Sequence, residues 1–158
     1  MRHRVSLLTP LLLLLLVHPA MSAESQVIGV VKTVKATASV TRGQQTIPAT
    51  IGTKLFLNDT LQTGADSSLG LIFRDDSVLS MGPNSRVVLD QFLFTPTEGK
   101  LGFLIKIMHG TIAYLSGVIG RLSPSTANFE TPVATIGIRG THFAVKVQGD
   151  NVRAGRTP

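Results

Sequence analysis

The chain is written in short runs whose apolar and polar residues alternate, and a turn signal cuts each run before it grows long. A period of two puts successive side chains on opposite faces of a strand, one face packed and one wet. Over residues 33–41, Val34, Ala36, Ala38 and Val40 alternate with Thr33, Lys35, Thr37, Ser39 and Thr41. Leu69, Leu71 and Phe73 share a face, and residues 77–81 read as a further strand. Val87 and Leu89 oppose Arg86 and Asp90, while Phe143, Val145 and Val147 oppose His142 and Lys146. Turn residues separate these runs at Arg42-Gly43, Asn58-Asp59, Gly64-Ala65-Asp66, Asp75-Asp76, Gly82-Pro83-Asn84, Glu98-Gly99 and Ser116-Gly117. Glycine, asparagine and aspartate tolerate the backbone angles that tight turns demand.

One segment fits two periods. In residues 101–115, Leu101, Leu104, Ile105, Met108 and Ile112 would form a helical stripe. Gly102 and Gly110 would each cost a helix interior about 1 kcal/mol. Ile105, Ile107, Thr111 and Ile112 are β-branched and favour strand. The segment is expected to be two strands with a turn at His109-Gly110. The expected fold class is therefore all-β, either a short β-solenoid-like stack of hairpins or a sandwich.

The front end bears on compartment. Arg2 and Arg4 precede an apolar stretch over residues 5–17, and the small residues Ala20, Ser22 and Ala23 follow. That is the layout of a secretory signal peptide. The apolar run is shorter than the roughly 20 residues of a spanning helix, so no stable membrane span is expected. The expected organisation is a signal peptide at 1–23, a β domain at 24–147 and a polar tail at 148–158, with the protein periplasmic or secreted. Removing 23 residues leaves 135, enough for one domain with a sizeable core. Two arginines and no acid leave with them, so the net charge falls from +6 to +4. The remaining Lys and Arg are scattered, without the basic cluster of a nucleic-acid footprint. With no cysteine in the chain, neither disulfides nor a cysteine-linked lipid anchor is expected.

Catalytic chemistry is hard to assemble from these residues. Beyond residue 23 the only histidines are His109 and His142, too few for a zinc site built from three or four ligands. Neither a Gly-x-Ser-x-Gly elbow nor a usable Ser-x-x-Lys pair occurs. Asp75-Asp76, the one carboxylate pair, sits where a hairpin should turn, so it reads as turn chemistry. Residues 136–141, IGIRGT, match neither a dinucleotide loop nor a phosphate loop. No catalytic residue, cofactor or metal is expected.

Residues 131–143, TPVATIGIRGTHF, do match a known pattern. They resemble the signature T-P-x-A-x-x-G-[VI]-R-G-T-x-F that closes the FecR domain. Residues 52–64 resemble its "G-x-x-L … D-x-[IL]-x-T-G" segment, and residues 71–77 its "[LV]-x-F-x-D-[GD]-S" hairpin. Residues 82–89 resemble "G-x-x-S-x-[VL]-x-[LV]", and residues 109–111 fit a later glycine step. Together with an opening at Gly29-Val30-Val31, the resemblance spans about residues 29–147.

FecR-type regulators of iron-transport signalling have a cytoplasmic part that holds a sigma factor, one membrane helix, and this β domain on the periplasmic side. There the domain senses a loaded outer-membrane receptor. Here a leader stands where the cytoplasmic part would be, so the chain is similar to the exported sensor-side domain alone. The resemblance implies a solenoid-like all-β fold. It also implies a non-enzymatic binding or signalling module that recognises an envelope protein, either a receptor or a membrane-spanning regulator. The alternative is a structural or polysaccharide-associated envelope domain. The motif residues Thr131, Pro132, Gly137, Arg139, Gly140 and Thr141 are the expected site, read as a structural, fold-closing corner ahead of a binding site. Gly137 and Gly140 are expected to turn the backbone where two sheets meet. Arg139 is expected to cross the corner and fork onto exposed carbonyls or onto a carboxylate, with Asp59, Asp75 and Asp76 the candidates.

Overall fold

The computed structural model describes residues 26–138 and 142–148. Among them are twelve strands: β1 (Gly29–Lys35), β2 (Ala38–Arg42), β3 (Gln45–Pro48), β4 (Lys54–Leu55), β5 (Thr60–Thr63), β6 (Ser68–Phe73), β7 (Val78–Met81), β8 (Arg86–Thr95), β9 (Lys100–Leu115), β10 (Ala127–Thr131), β11 (Ala134–Gly137) and β12 (His142–Val147). A one-turn helix, α1 (Val118–Leu122), follows β9. The fold is all-β, as the alternation requires. The expected signal peptide, most of the expected tail, and Arg139, Gly140 and Thr141 lie outside the described residues.

The strands form one curled, half-barrel sheet with two limbs. The first limb runs β4-β1-β6-β7-β9-β12, antiparallel throughout. The second runs β3-β2-β5-β8-β9-β10-β11, antiparallel except where β10 lies parallel to β9. Strand β9 belongs to both. Its first ten residues pair with β8, and its last six pair with β7 and β12. The concave side holds the core, with Val31, Val40, Leu61, Leu69, Leu71, Leu79, Met81, Val87, Leu89, Ile105, Ile107 and Ile112 buried from both limbs. These are the apolar positions of the alternating runs, taken out of water at roughly 25 cal/mol per Å².

Two sequence expectations are corrected here. Residues 33–41 are two strands, because the backbone at Ala36 takes φ +57° and turns the chain from the first limb to the second. Residues 101–115 lie within one strand, because Gly110 (φ +102°) bends β9 from limb to limb without reversing it. Alternation cannot separate a hairpin turn from such a corner, since both interrupt the ladder with one left-handed residue.

Four passages of the chain stack at this corner, near Ala36, Asp66, Asn84 and Gly110, each with positive φ. Short hydroxyl side chains satisfy the backbone there. Ser67 Oγ accepts from Thr37 N at 3.1 Å. Thr63 Oγ1 donates to Gly82 O at 2.7 Å and accepts from Ser85 N at 2.9 Å. Ser85 Oγ accepts from Thr111 N at 3.0 Å. Main-chain bonds from Gly64 N to Thr37 O, Asn84 N to Gly64 O and Gly82 N to Thr111 O join the passages into a ladder. Buried polar groups persist only when so paired.

The opposite ends of the strands carry two buried carboxylates, both in predicted turns. Asp75 accepts from Ser77 Oγ at 2.6 Å, from Ser77 N, and from Ile119 N of α1. Asp76 beside it takes φ +63°, so the acid pair is turn chemistry, as expected. Asp59 follows the left-handed Asn58 and is fully buried.

Candidate functional site

The described residues of the signature motif, 131–138 and 142–143, lie at the C-terminal end of the two limbs. Phe129 and Phe143 come from β10 and β12, and they meet Phe103 and Tyr114 from the two halves of β9. Ring centroids lie 4.8 Å apart for Phe129–Phe143, 5.0 Å for Tyr114–Phe129 and 5.3 Å for Phe103–Tyr114. Edge-on and tilted rings at this spacing hold the last layer of the core together. The final phenylalanine of the motif is therefore an anchor that ties β12 to the body.

The motif's first residues make a turn. Thr131 Oγ1 accepts from Ala134 N and donates to Ala134 O, each at 3.0 Å. Pro132 follows it in the turn, where a fixed φ is favourable. The hairpin tip is exposed, with Val133 at 84 %. Gly137 is exposed in β11 without positive φ, and a Cβ there would meet only Asn128 Oδ1 at 3.7 Å. The expectation that Gly137 turns the chain between sheets is thus corrected. Ile138, next in line, is buried and donates its N–H to Ala127 O. The structure brings Thr131, Pro132 and Gly137 onto one hairpin.

Arg42 sits where Arg139 was expected to fork onto Asp59. Its Nε and Nη2 each lie 2.8 Å from an Asp59 carboxylate oxygen, and Phe56 N donates to the same carboxylate at 2.9 Å. The guanidinium lies 4.2 Å from the Phe56 ring centroid. Its hydrogen bonds to Asp59 push its pKa up, against a smaller effect of burial. Asp75 is likewise filled by Ser77 and α1. The Arg42–Asp59 pair spans 17 positions, and no local pattern in the sequence signals it.

Beyond the core anchor, the motif region offers two strand edges. Among the described residues, β11 pairs only with β10, and β12 only with β9. Between them lies a groove of about 340 Å³ lined by Ile136, Gly137, Ile138, Phe143 and Val145 among others. On β12, Phe143, Val145 and Val147 are half-buried and His142, Ala144 and Lys146 are exposed, and of these His142, Phe143, Ala144 and Val145 line the groove. Unpaired edges and apolar grooves suit peptide capture by strand addition. The serine nearest an acid, Ser77, is buried and donates to Asp75, where no substrate reaches it. His109 Nδ1 is held at 2.9 Å from Asn84 O. Among the described residues no group of three His, Asp or Glu could hold a metal, and no helix is long and apolar enough to cross a membrane.

The FecR protein family model matches residues 59–155, which takes in Asp59, β5 to β12, the Asp75-Asp76 turn and the whole motif. No curated protein and no solved structure matches the chain. The matched span covers more than half of the chain and every element that builds the C-terminal edge, and on that ground the chain belongs to the FecR protein family.

Proposed function

We propose that this protein is an exported, non-enzymatic binding module of the cell envelope, periplasmic or secreted, that recognises an envelope protein in a signalling role. Family membership supports a regulator-like module. The single observation that carries the reading further is the C-terminal end of the fold, where, among the described residues, β11 and β12 each leave one edge unpaired beside an apolar groove. The leader-like residues 1–23 support export. Recognition would then be by backbone pairing at the edge, with the motif's Thr131-Pro132 turn holding β10 and β11 in place and Phe143 holding β12. Arg139, Gly140 and Thr141 belong to this site as the join between the two edges in sequence.

In-cell crosslinking of the tagged protein, followed by mass spectrometry, tests the reading. Enrichment of an outer-membrane receptor or a membrane-spanning regulator is expected. Capture of wall or surface-polymer proteins alone would contradict it and favour a structural role. Cell fractionation checks the compartment: the protein is expected in the periplasmic or extracellular fraction, shortened at its N-terminus.

A further inference from the structure

The two ends of the curled sheet are finished differently. At the N-terminal end, β4 is two residues long and β3 closes on Pro48. Short strands and proline are devices that keep an edge from pairing with another chain. At the C-terminal end, β12 is six residues long, holds no proline, and turns no charge inward. The half-buried row Phe143, Val145 and Val147 packs against the core, and Phe143 and Val145 also line the groove.

Charge around this edge is one-sided. Lys146 and His142 point outward from β12, opposite Thr111 and Leu115 of β9. The next strand contributes Val78 and Ser80 to the same face. No acid stands in this patch among the described residues. Asp90 and Glu130 both face Lys106, on the half of β9 that pairs with β8. A second copy paired through β12 would add another lysine to the face, and like charges on neighbouring strands repel.

We propose that β12 and its groove take an extended acidic strand from another protein. Apolar side chains at alternate positions enter the groove beside Phe143 and Val145. Carboxylates at positions i and i+4 face His142 and Lys146, which are themselves four residues apart on one side of the strand. The proposal rests on the binding-module reading and adds the chemistry of the partner to it.

The test uses the full exported chain and two labelled peptides, SVEVSVEVS and its charge-reversed form SVKVSVKVS. Fluorescence anisotropy gives affinity, and amide NMR shifts give position. The acidic peptide is expected to bind and to shift the amides of Phe143, Val145 and Val147. Lys146→Glu, an exposed change, is expected to weaken it about fivefold and to favour the basic peptide instead. Equal binding of both peptides, shifts at β3 or β4, or no binding would overturn the proposal. Binding that occurs only after residues 149–158 are deleted would also overturn it, by assigning the edge to the chain's own tail. A concentration-dependent dimer that Val145→Pro dissolves would overturn it in favour of a second copy. Envelope capture in cells with no acidic-peptide binding would sink this inference and leave the module reading intact. Peptide binding without envelope capture would do the reverse.

Discussion

Asp59 has no exposed surface, and a carboxylate in that position persists because three donors reach it. Two come from Arg42 and one from Phe56 N. Asp59→Ala should cost about 2–4 kcal/mol, through the loss of the pair and of the turn's amide acceptor. Arg42 is half exposed, so Arg42→Ala should cost less, about 1–2 kcal/mol, because water can replace part of the guanidinium. Urea unfolding midpoints check both, and equal midpoints for wild type and Arg42→Ala would show that the fork is ornamental. Tyr114 is a different case. Its hydroxyl sits among Ser77, Ser116 and Gly117, yet makes no hydrogen bond of acceptable geometry. Burial pushes its phenol up, above the ordinary value of about 10. The native state therefore holds that proton more tightly than the unfolded chain does. Its contribution to stability is full below about pH 10 and is lost as pH rises further. Tyr114→Phe should change stability at pH 7 by less than about 1 kcal/mol and should flatten the alkaline decline. Melting curves taken from about pH 8 to 11 decide it, and a parallel decline in both proteins would contradict the assignment.

At the scale of elements, strand identity was largely legible and strand connection was not. The runs around Leu69, Leu79, Val87 and Val145 fall on β6, β7, β8 and β12 with the expected faces buried or half-buried. Gly110 in β9 was misread because a left-handed residue marks a corner and a hairpin alike, and Ala36 between β1 and β2 was misread because the alternation runs through it as if through one strand. What distinguishes them is the neighbour across the ladder, which lies tens of residues away. The same distance hid the Arg42–Asp59 fork and the parallel placement of β10 on β9. The motif was legible as a unit, but its working parts were not. Phe143 anchors the core, Thr131 closes a turn, and Gly137 is a strand residue with room to spare. Two glycine substitutions separate these roles. Gly110→Ala forces a side chain into positive φ and onto Ser85, so it should cost about 3 kcal/mol or more. Gly137→Ala has ordinary contacts and should change stability by less than about 0.5 kcal/mol. Thermal melting of the two variants side by side checks the prediction, and comparable losses would contradict it.

For the whole molecule, one curled sheet combines features of both expected architectures. Its chain passages stack at a corner as in a solenoid, and its two limbs enclose a core as in a sandwich. A stack of this kind is finite only if its ends are closed. The N-terminal end is closed by a two-residue strand and a proline, and among the described residues β11 and β12 each leave one edge unpaired at the C-terminal end. The central claim is that recognition happens at that second end. A photoreactive residue placed at Ala144, exposed on β12, tests it most directly in living cells, with one placed at Thr46 on the opposite edge as the control. Crosslinks to an identified envelope receptor or membrane-spanning regulator from position 144, and none from position 46, are the predicted result. The same partner captured equally from both positions, or from position 46 alone, would contradict it.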